Sequence, residues 1–189
     1  MTKEKERCLA AIERAEQGET VALISSGDAG IYGMAGLALE MAGIEQKTIP
    51  VEIVPGITSA TASAAKLGAP LMLDFACISL SDLLVPWTAI RKRLEAIAAA
   101  DLVAALYNPR SKKRTAQLNE AAAIFRKYRE GNVPVGICTA VGTEEERIIL
   151  TNLDQFLEHE INMRSIVIVG NTSSKIIDGI FITPRGYQV

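Results

Sequence analysis

The sequence predicts an α/β fold in two parts: an N-terminal parallel-sheet domain over residues 1–107 and a C-terminal mixed-sheet α/β domain over 108–189. Three observations predict it. As far as Tyr107, short apolar and β-branched runs alternate with segments of helical periodicity, the signature of βαβ units. The polar, basic, proline-containing link Tyr107-Asn108-Pro109-Arg110-Ser111-Lys112-Lys113-Arg114 then changes the character of the chain. Beyond it, strand-like runs lie close together with little helix between them, which implies a mixed sheet.

Taken in order, Thr2 to Gln17 reads as a helix with Cys8, Ala11, Ile12 and Ala15 on one face, ended by Gly18. Thr20 to Ile24 reads as a buried strand and Met34 to Ala42 as a helix that Gly43 breaks. Val51 to Val54 is a second strand. The turn Pro55-Gly56-Ile57-Thr58-Ser59 leads from it into an Ala-, Ser- and Thr-rich helix, Ser59 to Leu67, which Gly68-Ala69-Pro70 stops. Phe75 to Leu80 is a strand, and Ser81-Asp82 opens a loop that Pro86 restricts. Thr88 to Ala99 is a helix that buries Ile90, Leu94 and Ile97 and turns Arg91, Lys92 and Arg93 to solvent. Leu102 to Leu106 is a continuous apolar strand. After the link comes a helix with Leu118, Ala121, Ala122 and Phe125 on one face. Strands follow at Val133 to Thr139, Arg147 to Leu150, Ser165 to Val169 and Ile180 to Thr183, with one short helix near Asp154 to Glu158.

Composition narrows the function. The chain has 189 residues, 49% hydrophobic and 22% charged, with a net charge of −2 and a mean hydropathy of +0.20. No basic footprint marks a nucleic-acid or anionic-membrane surface, and no run is apolar enough to span a bilayer. The first seven residues do not read as a signal peptide, so a cytoplasmic protein is expected. Cys8, Cys77 and Cys138 are far apart and lack CxxC spacing, so they read as buried thiols. With His159 the single histidine, a His-based metal site or Ser-His-Asp triad has almost no material.

The stretch Ser25-Ser26-Gly27-Asp28-Ala29-Gly30-Ile31-Tyr32-Gly33 sits between a predicted strand and a predicted helix, where open α/β sheets place ligands. Its glycines are three apart, so it is neither G-x-G-x-x-G nor a P-loop, and a dinucleotide or ATPase site is disfavoured. Asp28 can cap free N–H groups or accept a ligand hydroxyl. Alone, the turn fits a plain connector as well as a ligand site. Pro55–Ser59, Tyr107–Asn108, Ala140–Gly142 and Gly170–Thr172 also follow predicted strands, and a cleft lined by their backbone groups suits a polar small molecule. No classical acid/base set appears. Glu144–Glu146 reads as a solvated charge run, and Arg110 with Lys112–Arg114 as solvent-facing cations. Chemistry that depends on positioning fits this poverty, and alkyl transfer from a sulfonium is of that kind.

The residues Met1–Arg7, Ser25–Ala35, Val54-Pro55-Gly56-Ile57-Thr58-Ser59-Ala60, Leu67–Leu71, Ile78–Trp87, Leu106–Ser111 and Thr183-Pro184-Arg185-Gly186-Tyr187 carry a resemblance over essentially the whole chain. It resembles the tetrapyrrole (corrin and porphyrin) methylases that use S-adenosylmethionine. The Ser-Leu-Ser-Asp-Leu-Leu and Tyr-Asn-Pro-Arg-Ser stretches resemble the branch acting at carbon 17 of a corrin precursor. The resemblance implies two α/β domains with the cofactor folded into the cleft between them. It also implies methylation at carbon 17 with ring contraction in cobalamin biosynthesis, on precorrin-3B or its cobalt form, and a homodimer. By motif position, Ser26, Gly27, Asp28 and Ile31 would line one side of the cofactor and Thr58 and Ser59 its methionine or ribose portion. Tyr107 and Asn108 would sit at the hinge, and Val141 and Gly142 would close the adenine side. Ser81, Asp82 and Arg110 would meet the tetrapyrrole. Ala29 stands where this turn usually has proline. The family pattern opens with a strand ending in Gly-x-Gly-Pro-Gly, a helix and a second strand, and Met1 coincides with a position inside that pattern. The N-terminal domain is therefore expected to be truncated, with an exposed apolar face. The alternative expectation is a non-catalytic remnant that binds cofactor, tetrapyrrole or a partner subunit.

Overall fold

A computed structural model describes residues 3–44 and 48–188. The chain divides into two compact units, residues 1–58 and 59–189. The boundary expected after Tyr107 lies inside the second unit, because the strands before and after it share one sheet.

The first unit holds two helices, α1 (Glu4–Glu16) and α2 (Ala35–Ile44). Thr2, the expected start of α1, is outside the described residues. Cys8 and Ile12 are buried, as the helical spacing requires. Residue Gly43 does not end α2, which runs one residue further. The strands expected at Thr20–Ile24 and Val51–Val54 are not formed: both runs join no ladder among the described residues. A strand exists only with a partner for its N–H and C=O groups, and apolar composition alone does not supply one. Ile24 is 80% exposed and Val54 72%. The two runs and the facing sides of α1 and α2 line an open cleft of about 560 Å³, bounded mostly by apolar side chains such as Ile12, Leu23, Met34 and Val51.

The second unit is built on a five-stranded mixed sheet, ordered β2 (Phe75–Ser79), β3 (Val103–Tyr107), β6 (Ser165–Val169), β4 (Pro134–Thr139), β5 (Arg147–Asn152). β2 and β3 are parallel, and β6 is antiparallel to both β3 and β4. Side chains alternate across the sheet. Ala104, Leu106, Val167 and Val169 face α4 (Trp87–Ala99) and α5 (Ala116–Arg126) in one core. Val103, Ala105, Ile166 and Ile168 face α3 (Ser59–Leu67) and Phe181 in the other. Both faces of β3 and β6 are covered, which is why these strands read as unbroken apolar runs. Gly136 in β4 lets Leu67 of α3 come close, since a Cβ there would stand 2.3 Å from a Leu67 methyl.

A second sheet, β1 (Gly68–Ala69), β8 (Ile180–Ile182) and β7 (Lys175–Ile177), completes the unit. Sequence reading takes β1 for a helix stop and passes over β7. The expected short helix is a 3₁₀ turn, Phe156–Glu158. Cys8 and Cys138 are buried, as expected, whereas Cys77 in β2 is only half-buried; burial pushes the Cys138 thiol up to about 11, so it stays protonated and inert.

Candidate functional site

In the first unit the Ser25–Gly33 stretch closes on the Pro55–Thr58 turn. The Asp28 carboxylate does the closing. Gly30 N and Ile31 N donate to Oδ1 at 2.8 and 3.1 Å, and Gly56 N donates to Oδ2 at 2.9 Å. Of the two roles open to Asp28, the structure shows the capping one: both oxygens hold backbone. These three donors, Gly56 first, keep the carboxyl below its ordinary value. Gly27 has φ +73°, and its neighbours across the turn are Ile57 O and the Cα of Thr58. Tyr32 is also left-handed, at φ +54°. Thr58 is buried, whereas Ser26 and Ile31 are exposed. The structure therefore brings Gly27, Asp28 and Thr58 together.

The sign of the Asp28 shift gives a first prediction. A depressed carboxylate stabilises the turn fully above its unfolded value of about 4 and loses that contribution as pH falls through its lower folded value. The amide signals of Gly30, Ile31 and Gly56 are expected to titrate together, with a midpoint below the ordinary aspartate value of about 4. A midpoint at or above that value would show that the carboxylate is not held by these amides.

In the second unit the parallel order of β2, β3 and β4 puts three loops at one end of the sheet. These are the loop after Ser79, the Tyr107–Asn108 turn, and Ala140–Gly142. The Tyr107 hydroxyl accepts from Ala60 N at 2.9 Å, at the start of α3, which brings Tyr107 to the turn of helix opened by Ser59. Asn108 is left-handed at φ +49°, and its Nδ2 donates to Ser79 Oγ at 3.0 Å; Ser81 N donates to the same oxygen at 3.2 Å. Gln117 Nε2 donates to Asp82 Oδ2 at 2.8 Å. Arg110 Nη2 reaches Asn119 at 3.2 Å, while its Nε is buried with no hydrogen-bond partner. Ala140 and Gly142 take positive φ, +52° and +81°. Val141 is packed against the α3-side core.

Three expectations change here. Gly170–Thr172 lies at the opposite end of the sheet, because β6 runs against β3 and β4. There it meets Asp101: the Thr172 amide and hydroxyl both donate to that carboxylate. Glu146 is not merely solvated. It accepts from Gly142 N at 2.8 Å and pairs with Lys66 at 2.9 Å, fixing the Ala140–Gly142 turn. Arg114 does not face solvent; its side chain is 10% exposed. A charge run hides such a residue, because sequence assigns the run one environment.

A family model described as Tetrapyrrole (Corrin/Porphyrin) Methylases matches residues 2–157. The chain belongs to the tetrapyrrole methylase family. It is 49% identical over its whole length to a probable cobalt-factor III C(17)-methyltransferase of Salmonella typhimurium, of which it covers 78%. It is also 49% identical to a cobalt-factor III methyltransferase of Priestia megaterium, of which it spans 36%. The crystal structure of the methyltransferase CobJ superposes with a TM-score of 0.90 at 38% identity, covering 96% of this methylase and 77% of that chain. Among the described residues no helix is long and apolar enough to cross a membrane.

Proposed function

We propose that this methylase transfers a methyl group from S-adenosylmethionine to carbon 17 of precorrin-3B or its cobalt form, cobalt-factor III, with ring contraction, in cobalamin biosynthesis. The observation that carries the proposal is the 49% identity, over the whole of this chain, to a probable cobalt-factor III C(17)-methyltransferase, joined to two backbone-lined groups of turns with no acid/base set. The residues proposed to line the cofactor site are Ser26, Gly27, Asp28, Ile31 and Thr58 in the first unit. In the second unit they are Ser59, Tyr107, Asn108, Val141 and Gly142. These residues fit a polar ligand that needs positioning: the turns offer backbone amides and hydroxyls, and the glycines leave room for close approach. Asp28 acts through the shape it gives its turn. When bound, the cofactor supplies an electrophilic methyl on a sulfonium whose leaving group is neutral, so the chain's task is alignment. Ser81, Asp82 and Arg110 are the proposed tetrapyrrole contacts, and the buried unpartnered Arg110 Nε supports a polar partner for that side chain. The same reading makes the protein a cytoplasmic homodimer.

The unpaired runs at Thr20–Ile24 and Val51–Val54 favour a second reading, a binding remnant without turnover. Calorimetric titration with S-adenosylhomocysteine tests the cofactor proposal: saturable one-to-one binding is expected, and a folded sample that releases no heat overturns it. Turnover separates the two readings.

A further inference from the structure

The charge run at Lys112–Arg114 contains one member that the reaction chemistry leaves unassigned. Arg114 precedes α5 and turns inward under the two loops that leave β2 and β3. Nη1 donates to Asn108 O at 2.6 Å and to Leu80 O at 3.1 Å. Nη2 points to Met163 Sδ at 3.7 Å, and Nε stands 3.9 Å from Asp82 Oδ1. The backbone of the residue is itself pinned, with Arg114 N donating to Ser111 Oγ at 3.1 Å and Ser111 N to Arg114 O at 2.9 Å. One guanidinium thus ties the carbonyl of the left-handed Asn108 to the first residue after β2, and flanks Asp82 opposite Gln117.

We propose that Arg114 is a positioning residue: its guanidinium clips the loop after β2 to the turn after β3, fixing the segments that carry Ser81, Asp82, Tyr107 and Asn108. The inference rests on the methyltransferase reading. The stems of the two loops already meet, with Leu80 N donating to Tyr107 O at 2.9 Å and Asn108 Nδ2 to Ser79 Oγ at 3.0 Å. Beyond Leu80 the tip is loose: Leu83 and Leu84 are 82% and 92% exposed, so burial does not anchor them. Without the clip, Leu80 O and Asn108 O lose their shared donor, and the Asp82 carboxylate keeps only Gln117 on one oxygen. Lysine cannot replace it. A planar fork addresses two carbonyls, a thioether and a carboxylate together, whereas an ammonium on a flexible stem is a point charge.

Arg129 is the matched control. It is more deeply buried than Arg114 and also bridges two carbonyls, Gly170 O at 2.6 Å and Leu102 O at 2.7 Å, but at the opposite end of the same sheet. R114K and R129K are compared with the unaltered chain below both melting temperatures, by S-adenosylhomocysteine titration and by steady-state turnover of the tetrapyrrole. R114K is expected to raise the tetrapyrrole KM at least about tenfold and to weaken S-adenosylhomocysteine, with R129K within about twofold on both constants and lower only in Tm. Unchanged constants in R114K, or equal losses in R114K and R129K, overturn the positioning role. If the unaltered chain binds no S-adenosylhomocysteine, the methyltransferase reading fails and this inference falls with it.

Discussion

Gly56→Ala is expected to abolish measurable S-adenosylhomocysteine binding, weakening it on the order of a hundredfold or more. A Cβ at this position would lie 2.1 Å from Gly27 O and 3.3 Å from the Asp28 Cα. Both are backbone atoms, so no side-chain rotation relieves the clash, and the two turns must part. Parting them removes the Gly56 N–H from Asp28, the first of the three contacts that depress its carboxyl. The turn lies in the first unit, and the thermal transition of the second unit is expected to stay in place while binding is lost. Calorimetry and circular dichroism on one sample read both. Binding at the level of the unaltered protein would mean that the Gly27–Gly56 approach does not shape the cofactor wall.

Arg129→Ala is expected to cost the second unit about 3–5 kcal/mol, because it leaves buried groups unpaired. The guanidinium donates to Leu102 O and Gly170 O, lies 4.6 Å over the Phe125 ring, and stands 3.5 Å from Asp101. Its burial lowers the ordinarily very high arginine value to about 10, so it remains charged at neutral pH. Removing it orphans two carbonyls, strips Asp101 of its cation and opens a cavity beside Phe125. A loss of that size lowers Tm by about 10 °C or more in a unit of this length. Thermal unfolding followed in the far ultraviolet measures it. A shift corresponding to less than about 1 kcal/mol would show that water replaces the guanidinium freely.

Residues whose environment was decided locally were legible in the sequence. Ser59–Leu67 forms α3 with the expected limits, because a turn opens it and Gly68 closes it. Ser165–Val169 forms β6, a strand covered on both faces and therefore apolar throughout. The Ser25–Gly33 turn and the strand-end loops were legible as turns from their glycines, prolines and hydroxyls. What depended on pairing partners was not. Thr20–Ile24 has the composition of a buried strand, yet strand formation needs a neighbour's hydrogen bonds, and Ile24 lies 80% exposed. β7 is short, but a signal for it was present. Asp178-Gly179 joins Ile176-Ile177 to Ile180, with φ of +49° and +77°, and that dipeptide between apolar residues marks a hairpin. Strand direction was equally hidden: Gly170–Thr172 resembles the other loops in composition, and only the antiparallel course of β6 sends it to the far end. Arg114 and Glu146 were masked by like-charged neighbours, since exposure is settled by the fold and not by the run.

Methyl transfer is the direct test of what this chain does. The purified protein is incubated with methyl-labelled S-adenosylmethionine and cobalt-factor III or precorrin-3B, and the macrocycle is read by mass spectrometry and carbon nuclear magnetic resonance. The expected result is one labelled methyl group per ring, located at carbon 17. A folded chain that binds both compounds and leaves the macrocycle unlabelled would contradict the proposed methyltransferase.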